Sequence, residues 1–246
     1  MKVYAKTDIG KKRESNQDAF DTGYFNDGTV WAVVCDGMGG VSGGQVASSL
    51  CIDKTVNAIK RSYREGMTVN NVRNMLVSAI NAANSYVFDE SLKDRELKGM
   101  GTTIVATVIV NNSIAVVAHV GDSRAYLIND SITQITKDHS FVQLLIDNGK
   151  ITVDEAEAHP DKNIITRAIG IEGFVDVEVD IIDIKKADKL LLCTDGLNGC
   201  IKDEIILQTV KEYGDSSTEK LVEKANNNGG HDNVTVVLIS NADQGE

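Results

Sequence analysis

The sequence is poor in several features that would place it in other classes of protein. Among 246 residues there is no run of about 18 apolar residues, the length that a membrane-spanning helix needs. Proline occurs once, at Pro160, and the chain has no Pro-rich or Ser/Gly-rich linker and no repeat. Its start is polar and has no apolar signal segment. We therefore expect a single domain over residues 1–246 in the cytoplasm, with no membrane partner.

Cysteine is also scarce. The four cysteines have unrelated spacings and form no CxxC pair, so neither a disulfide framework nor a zinc site is indicated. They are Cys35, Cys51, Cys193 and Cys200. Because Cys35 and Cys193 each end an apolar run, we expect them to be small core residues without a catalytic role.

Basic residues are outnumbered, with 25 Lys and Arg against 36 Asp and Glu, which gives a formal charge of −11. This charge argues against a nucleic-acid partner or an anionic membrane surface, since both bind basic faces. It is compatible with bound cations. Taken alone, however, it is explained better as an ordinary acidic surface.

The hydrophobic pattern predicts strands in consecutive blocks and helices in pairs. The predicted strands are 3–7, 29–35, 102–110, 113–120, 123–128, 175–181, 189–194 and 233–239, and the predicted helices are 43–60, 70–88, 139–147, 202–212 and 217–226. Several strands are continuous in Val, Ile and Leu, which indicates burial on both faces. The class is therefore α+β. A four-layer αββα sandwich with two mainly antiparallel sheets flanked by helix pairs would bury the apolar faces of all these strands and helices.

The segment 138–172 is the least regular part of the chain and contains the only proline. Long irregular insertions in compact domains are often lids or binding loops. An ordinary connector with short helices is an equally good interpretation of this segment.

Aspartates recur at the ends of predicted strands. Asp36 ends the run WAVVC and begins a stretch with five glycines in eight residues, and Asp122 and Asp195 follow two other strands. Asp232 and Asp18 each precede a strand. A lone Asp-Gly is more often a turn than a ligand. Repetition at strand ends changes this, because the strands of a sandwich can bring distant residues to one edge.

Carboxylates held together repel one another, so a cluster of them is typical of a cation site. Oxygen ligands favour Mg²⁺ or Mn²⁺ over zinc or copper. The adjacent glycines would let backbone approach an ion closely, with Gly37 turning its carbonyl group toward it. GMGGVS is not a P-loop, and Ser42 breaks the dinucleotide fingerprint.

Eight short motifs follow one another along the chain. They are TDIGKKRESNQDA (7–19), VVCDGMGG (33–40), GTTIVA (101–106), AHVGDSRAY (118–126), TKDHSFV (136–142), NIITRAIG (163–170), TDGL (194–197) and GGHDNVTVV (229–237). Their order and spacing resemble the metal-dependent protein phosphatases of type 2C, the PPM family, over residues 3–240. The DGMGG form and the compact length are similar to the bacterial branch.

The resemblance implies a β-sandwich flanked by helix pairs, in agreement with the layers inferred above. It implies a serine/threonine phosphatase in which two divalent cations, Mn²⁺ or Mg²⁺, activate a water molecule that attacks phosphorus. Phosphoserine and phosphothreonine proteins would be its substrates, and a bacterial Ser/Thr kinase would be its opposing partner. The segment 138–172 would be the flap beside the site, and we expect a monomer.

Carried over by position, the resemblance also assigns the ligands of the two ions. Asp36 would bridge both ions, and the carbonyl oxygen of Gly37 would join one of them. Asp195 and Asp232 would bind the other ion. Asp18 would bind through water or support the ligands from behind.

The resemblance assigns two further roles and leaves one open. Asp122 would hold a third ion together with Asp195. Arg13 would grip the substrate phosphate with its planar fork of N–H groups. Met38 stands where many eukaryotic relatives have a histidine proposed as general acid, so the leaving group must take its proton from metal-bound water or from another group.

The four histidines are interpreted separately. His119 ends an apolar run and is expected to be a satisfied core residue. For His139 and His159, in the flap region, a surface position is favoured over substrate contact. His231 is expected to face solvent beside Asp232.

Two other classes of function compete with an active phosphatase. One is a catalytically silent relative that serves as a binding module, and the other is a structural Ca²⁺-binding sandwich. The dispersed acids argue against Ca²⁺, which favours several ligands from one loop. The active enzyme is favoured because every residue that the resemblance requires is present: Arg13, Asp18, Asp36, Asp122, Asp195 and Asp232.

Overall fold

The backbone of a computed structural model describes residues 1–185 and 187–240. The strands are β1 (Lys2–Asp8), β2 (Asp18–Tyr24), β3 (Val30–Met38), β4 (Gly101–Thr102), β5 (Ile104–Val110), β6 (Ile114–Val120), β7 (Arg124–Ile128), β8 (Ile132–Gln134), β9 (Glu178–Asp183), β10 (Lys189–Cys193) and β11 (Val234–Ser240). The α-helices are α1 (Gly40–Ser62), α2 (Val69–Lys93), α3 (Phe141–Asp147), α4 (Val153–Glu157), α5 (Asp195–Asn198), α6 (Asp203–Tyr213) and α7 (Ser217–Asn227).

The strands form two antiparallel sheets. The first has the order β1-β11-β10-β7-β8, and the second has the order β2-β3-β5-β6-β9, with β4 pairing to the end of β3. Helices α1 and α2 pack on the second sheet, while α6 and α7 pack on the first. The predicted α+β sandwich of four layers is therefore confirmed.

Three apolar layers hold the sandwich together, and they explain the continuous runs of Val, Ile and Leu. Along β3, Val33 faces the layer under α1 and α2, whereas Val34 faces the layer between the sheets. Leu191 and Leu192 of β10 divide in the same way between the layer under α6 and α7 and the layer between the sheets. Central strands are thus buried on both faces.

Asn111 and Asn112 form the hairpin turn between β5 and β6, and both residues adopt the left-handed conformation, with φ of 53° and 54°. The strand predicted over 102–110 is instead interrupted at Thr103, whose N–H donates to the carbonyl oxygen of Asp36. The short elements β8, α4 and α5 were not predicted, because three to five residues carry too little periodicity.

Among the described residues, no helix combines the length and the apolar character that crossing a bilayer requires.

Candidate active site

Acidic side chains from both sheets meet at one end of the layer between the sheets. Asp36 lies near the end of β3, on the face that directs Val34 toward the other sheet. Asp18 begins β2 and pairs directly with Asp36 across the two strands. Asp195 follows β10, and Asp232 lies two residues before β11, both in the first sheet. The end of the sandwich thus collects acids that are far apart in sequence.

Hydrogen bonds join the two sheets at this point. The hydroxyl groups of Thr194 and Thr235 donate to Oδ2 of Asp18 at 2.9 and 2.7 Å. Both threonines belong to the first sheet or directly follow one of its strands, whereas Asp18 belongs to the second. Within the described part of the chain, the buried Oδ1 atom of Asp18 has no hydrogen-bond partner.

The carboxylates keep some exposed surface at the mouth of the cleft, yet the surrounding protein removes much of their hydration. Burial raises the pKa of Asp36 well above its usual range, and the charges of Asp18, Asp195, Asp122 and Asp232 raise it further. Burial also raises the pKa of Asp18 and of Asp122 to about 7. For Asp195, burial and then the charge of Asp232 raise the pKa.

This arrangement suits divalent cations. The raised pKa values of these adjacent acids indicate carboxylates whose negative charge is not compensated by a nearby positive charge. The unpartnered oxygen of Asp18 receives no hydrogen bond from the described residues. Since the atoms that could bind an ion in this cluster are all oxygens, Mg²⁺ and Mn²⁺ fit these ligands better than zinc or copper does.

Gly37 is required for a different reason from the one expected. It does not adopt a positive φ, so conformational freedom is not what the position needs. Instead, a Cβ atom there would lie 2.1 Å from the carbonyl oxygen of Gly44 and 2.6 Å from that of Gln17. The missing side chain lets the start of α1 and the segment before β2 approach β3 closely.

Hydroxyl groups that the sequence interpretation missed hold the backbone of Asp36. Thr103 Oγ1 accepts from the Asp36 N–H at 2.9 Å, and Thr102 Oγ1 donates to the Asp36 carbonyl oxygen at 2.8 Å. The Thr103 hydroxyl also lies 2.7 Å from the hydroxyl of Ser123, next to Asp122. The signal was available in GTT and GDS, where polar residues adjoin buried strands.

Arg13 lies on the loop between β1 and β2 and contacts the acidic cluster. Its Nη2 atom is 2.7 Å from Oδ2 of Asp232, and its side chain is 52% exposed. The hydrogen bond to Asp232 raises the pKa of the guanidinium group, and the charges of Asp36 and Asp195 raise it as well. A guanidinium group therefore stands at the entrance of the cleft.

The structure gives each histidine its own surroundings. His139 is buried, so the prediction of a surface position was wrong: its Nδ1 accepts from the Gly121 N–H at 3.0 Å. His139 stacks on His119, and its Nε2 lies 3.1 Å from Glu178. Arg167 also contacts Glu178, at 3.1 Å, and supplies the positive charge in this group.

The three remaining histidines bear out or qualify the expectations. His159 lies at the surface but is half-buried, with its ring tilted against that of Phe141. His231 is exposed, as predicted. His119 is buried and its Nε2 lies 2.9 Å from the Lys137 carbonyl oxygen, but its Nδ1 has no partner among the residues that the structure describes, so the ring is only half satisfied.

A groove of about 730 Å³ adjoins the acids. Asp122 and Asp195 line it, together with residues of the segment around α3 and α4 and residues of α5 and the start of α6. Polar side chains dominate its floor, where Arg124 forms an ion pair with Asp138 at 2.7 Å.

Comparison with known proteins decides the family. Residues 10–233 match the family described as protein phosphatase 2C. The chain belongs to this family. Protein phosphatase PhpP of Streptococcus pneumoniae is 37% identical over 244 residues, which cover 98% of this chain and 97% of PhpP. Membership makes the chain a metal-dependent protein serine/threonine phosphatase and confirms the activity that the sequence motifs implied.

Solved structures of protein phosphatase 2C relatives have the same fold. Serine/threonine phosphatase Stp1 from Staphylococcus aureus gives a TM-score of 0.91 at 36% identity, over 97% of this chain and 94% of Stp1. The catalytic domain of the phosphatase PstP, solved in complex with two manganese ions, gives a TM-score of 0.82 at 34% identity, over 96% of each chain. The cofactor of this family member is accordingly a divalent metal ion.

Proposed function

We propose that the chain hydrolyses phosphoserine and phosphothreonine in proteins at the acidic cleft, with water as the attacking group. Asp36 and the carbonyl oxygen of Gly37, together with Asp195 and Asp232, would hold two Mn²⁺ or Mg²⁺ ions. When bound, such a pair of ions lowers the pKa of a water molecule enough to supply a nucleophile near neutral pH. The observation that supports this most is the meeting of these acids beside Arg13 at one end of the sandwich.

The chain's own residues would orient the reaction. Thr102 and Thr103 hold the backbone of Asp36, so the point from which its carboxylate extends into the cleft is fixed. Asp18 receives two threonine hydroxyls on one oxygen and leaves the other free, which suits a water molecule between it and an ion. Preorganised ligands of this kind avoid reorganisation during the reaction.

Arg13 would bind the phosphate group of the substrate. Its planar guanidinium group can hold two phosphate oxygens at once, which the single ammonium group of a lysine cannot do in the same geometry. Among the described residues, the exposed side chain forms its ion pair with Asp232, so it can turn toward an incoming phosphate once that pair opens. Met38 has no proton to donate, and the leaving group would take its proton from water.

Asp122 would hold a third ion together with Asp195. Both acids line the groove, and the charge of Asp195 adds to burial in raising the pKa of Asp122. The groove and the segment 138–172 would form the flap of a single phosphatase domain spanning residues 1–246.

The biological setting completes the proposal. We expect a cytoplasmic monomer that opposes a bacterial Ser/Thr kinase and has no nucleic-acid or membrane partner. The net charge of −11 supports the absence of a nucleic-acid partner.

Phosphate release from a phosphothreonine peptide tests this function. We expect activity with Mn²⁺ or Mg²⁺, none with EDTA, and background rates for Asp36→Asn with either ion. The matched control is Asp53→Asn, which removes an exposed acid on α1 and should leave the rate unchanged. Activity that survives EDTA would contradict the metal mechanism, and an equal loss in both variants would contradict the assignment of the site.

A further inference from the structure

The loop between β1 and β2, residues 9–17, carries Arg13 but has no regular secondary structure of its own. Its position is set by the segment that precedes β11. The N–H of Lys11 donates to the carbonyl oxygen of Gly230 at 2.8 Å. A Cβ atom on Gly10 would lie 2.2 Å from the carbonyl oxygen of Asp232, so the two backbones are in close contact. The loop therefore follows the 230–233 segment closely.

One side chain makes most of the polar contacts across this junction. Nδ2 of Asn233 donates to the carbonyl oxygens of Ile9 and Ser15 at 2.9 and 3.0 Å. Its Oδ1 accepts from the N–H of Gln17 at 2.8 Å. Both donors and the acceptor of the amide are thus used, and they reach the start and the end of the loop. Asn233 is only 4% exposed, so these bonds do not compete with water.

Asn233 is itself held between two proposed ligand segments. Its N–H donates to Oδ1 of Asp232 at 2.8 Å. Its carbonyl oxygen faces Gly196, where a Cβ atom would lie only 1.9 Å away, so the turn after Asp195 packs directly on it. The residue therefore has a fixed position relative to both acids.

We infer that Asn233 is a positioning residue for Arg13. It does not touch the substrate, but it fixes the distance and direction from which the guanidinium group reaches the cleft. This inference rests on the proposed role of Arg13 in phosphate binding. An amide is required because aspartate would direct an oxygen at two carbonyl oxygens, and serine is too short to reach both ends of the loop.

The test compares Asn233→Ala, Asn233→Asp, Arg13→Ala and the double variant Arg13→Ala/Asn233→Ala. With a phosphothreonine peptide and Mn²⁺, we expect Asn233→Ala to raise KM roughly 10- to 100-fold. A displacement of about 1 Å in a group that positions the substrate can weaken its contribution by up to about that factor. The value of kcat should change much less. Inhibition by inorganic phosphate should weaken in parallel, and Mn²⁺ binding measured by calorimetry should not weaken.

The double variant separates positioning from a merely structural role. If Asn233 acts through Arg13, adding Asn233→Ala to Arg13→Ala changes KM no further. An equal increase in both backgrounds overturns the inference. Arg13→Ala with an unchanged KM would contradict the proposed clamp first, and the inference with it, so the two failures can be told apart.

A second buried asparagine, Asn84, provides the control for a general loss of stability. Asn84 also holds backbone with both ends of its amide, accepting from Gly170 N–H at 2.8 Å and donating to the Glu172 carbonyl oxygen at 3.0 Å. Asn84→Ala should lower Tm about as much as Asn233→Ala without weakening inhibition by inorganic phosphate, which binds at the clamp and not at the flap, and a similar weakening overturns the inference. If Asn233→Ala does not fold, the isosteric Asn233→Asp carries the test, since it loses both donors and keeps the acceptor.

Discussion

At the scale of single residues, Asp232 faces two partners that exclude each other. Its Oδ2 atom accepts from Arg13 at 2.7 Å, yet the same carboxylate is proposed as a ligand of a divalent ion. The arginine occupies the carboxylate and repels an approaching cation. Loading of the ion and release of Arg13 for phosphate binding are therefore expected to be the same event.

Arg13→Ala should consequently tighten Mn²⁺ binding while it weakens substrate binding. Exposed ion pairs are worth up to about 1 kcal/mol, so an increase in affinity of about two- to fivefold is expected by calorimetry. The control is Arg73→Ala, which removes the same charge from an exposed position on α2. Unchanged or weaker Mn²⁺ binding in Arg13→Ala would contradict the competition.

The sequence predicts the charged residues of the site better than it predicts their supports. Asp36 and Asp195 can be found because each lies at the end of an apolar run, directly for Asp36 and after Thr194 for Asp195, and precedes glycine. The roles of Thr194 and Thr235 cannot be found in this way, because their hydroxyls cross from one sheet to the other and that contact exists only after the sheets pack. His139 was placed wrongly for the same reason, since its burial depends on β9 and Arg167.

At the scale of elements, the junction of β3 with α1 depends on Gly37. Gly37→Ala should lower the free energy of unfolding by about 3 kcal/mol, because its Cβ would overlap backbone atoms of Gly44 and Gln17 that cannot move independently. Urea unfolding measures this loss. Mn²⁺ binding should fall with it, because Asp36 and the Gly37 carbonyl group would be displaced.

Gly173→Ala is the matched control for that substitution. A Cβ at Gly173 meets only the ring of Phe88, at 3.6 Å, and its φ is not in the left-handed region. Its stability should therefore change by no more than about 0.5 kcal/mol. A small loss in Gly37→Ala, comparable to that of the control, would show that α1 can shift freely.

Long elements were predictable because their side chains repeat a pattern many times. α2 shows the i, i+3, i+4 spacing over several turns, and the structure buries Val72, Leu76, Ala79 and Ile80. β4 has two residues, and what separates it from β5 is a tertiary hydrogen bond of Thr103 to Asp36. The local sequence does not predict such a contact, because its two residues are far apart in the chain.

At the scale of the whole molecule, the proposed ligands come from both sheets. Bound ions would therefore stabilise the native sandwich, by about 2.7 kcal/mol per ion at a hundredfold excess over Kd. Without ions, the acids repel one another. Asp195→Asn should accordingly be more stable than the wild type in EDTA, and Mn²⁺ should no longer raise its Tm as it does for the wild type.

The control is Asp138→Asn, an acid beside the same groove that already has a positive partner. Asp138 forms an ion pair with Arg124 and accepts three hydrogen bonds from it. Asp138→Asn should lower the free energy of unfolding in EDTA by about 2 kcal/mol, whereas Asp195→Asn should raise it. If both variants lose stability in urea titrations, repulsion within the cluster does not limit the stability of the metal-free protein.

The pairing of β1 with β11 has a practical consequence for handling the protein. Lys2 lies opposite Ser240, whereas Asp8 and Val234, at the other end of the same pair, lie beside the acidic cleft. Seven residues of strand separate the two ends, a distance of about 20 Å. A purification tag or a fluorescent protein joined before Lys2 would thus attach at the far end of the sheet, where it leaves the entrance for large phosphoproteins open.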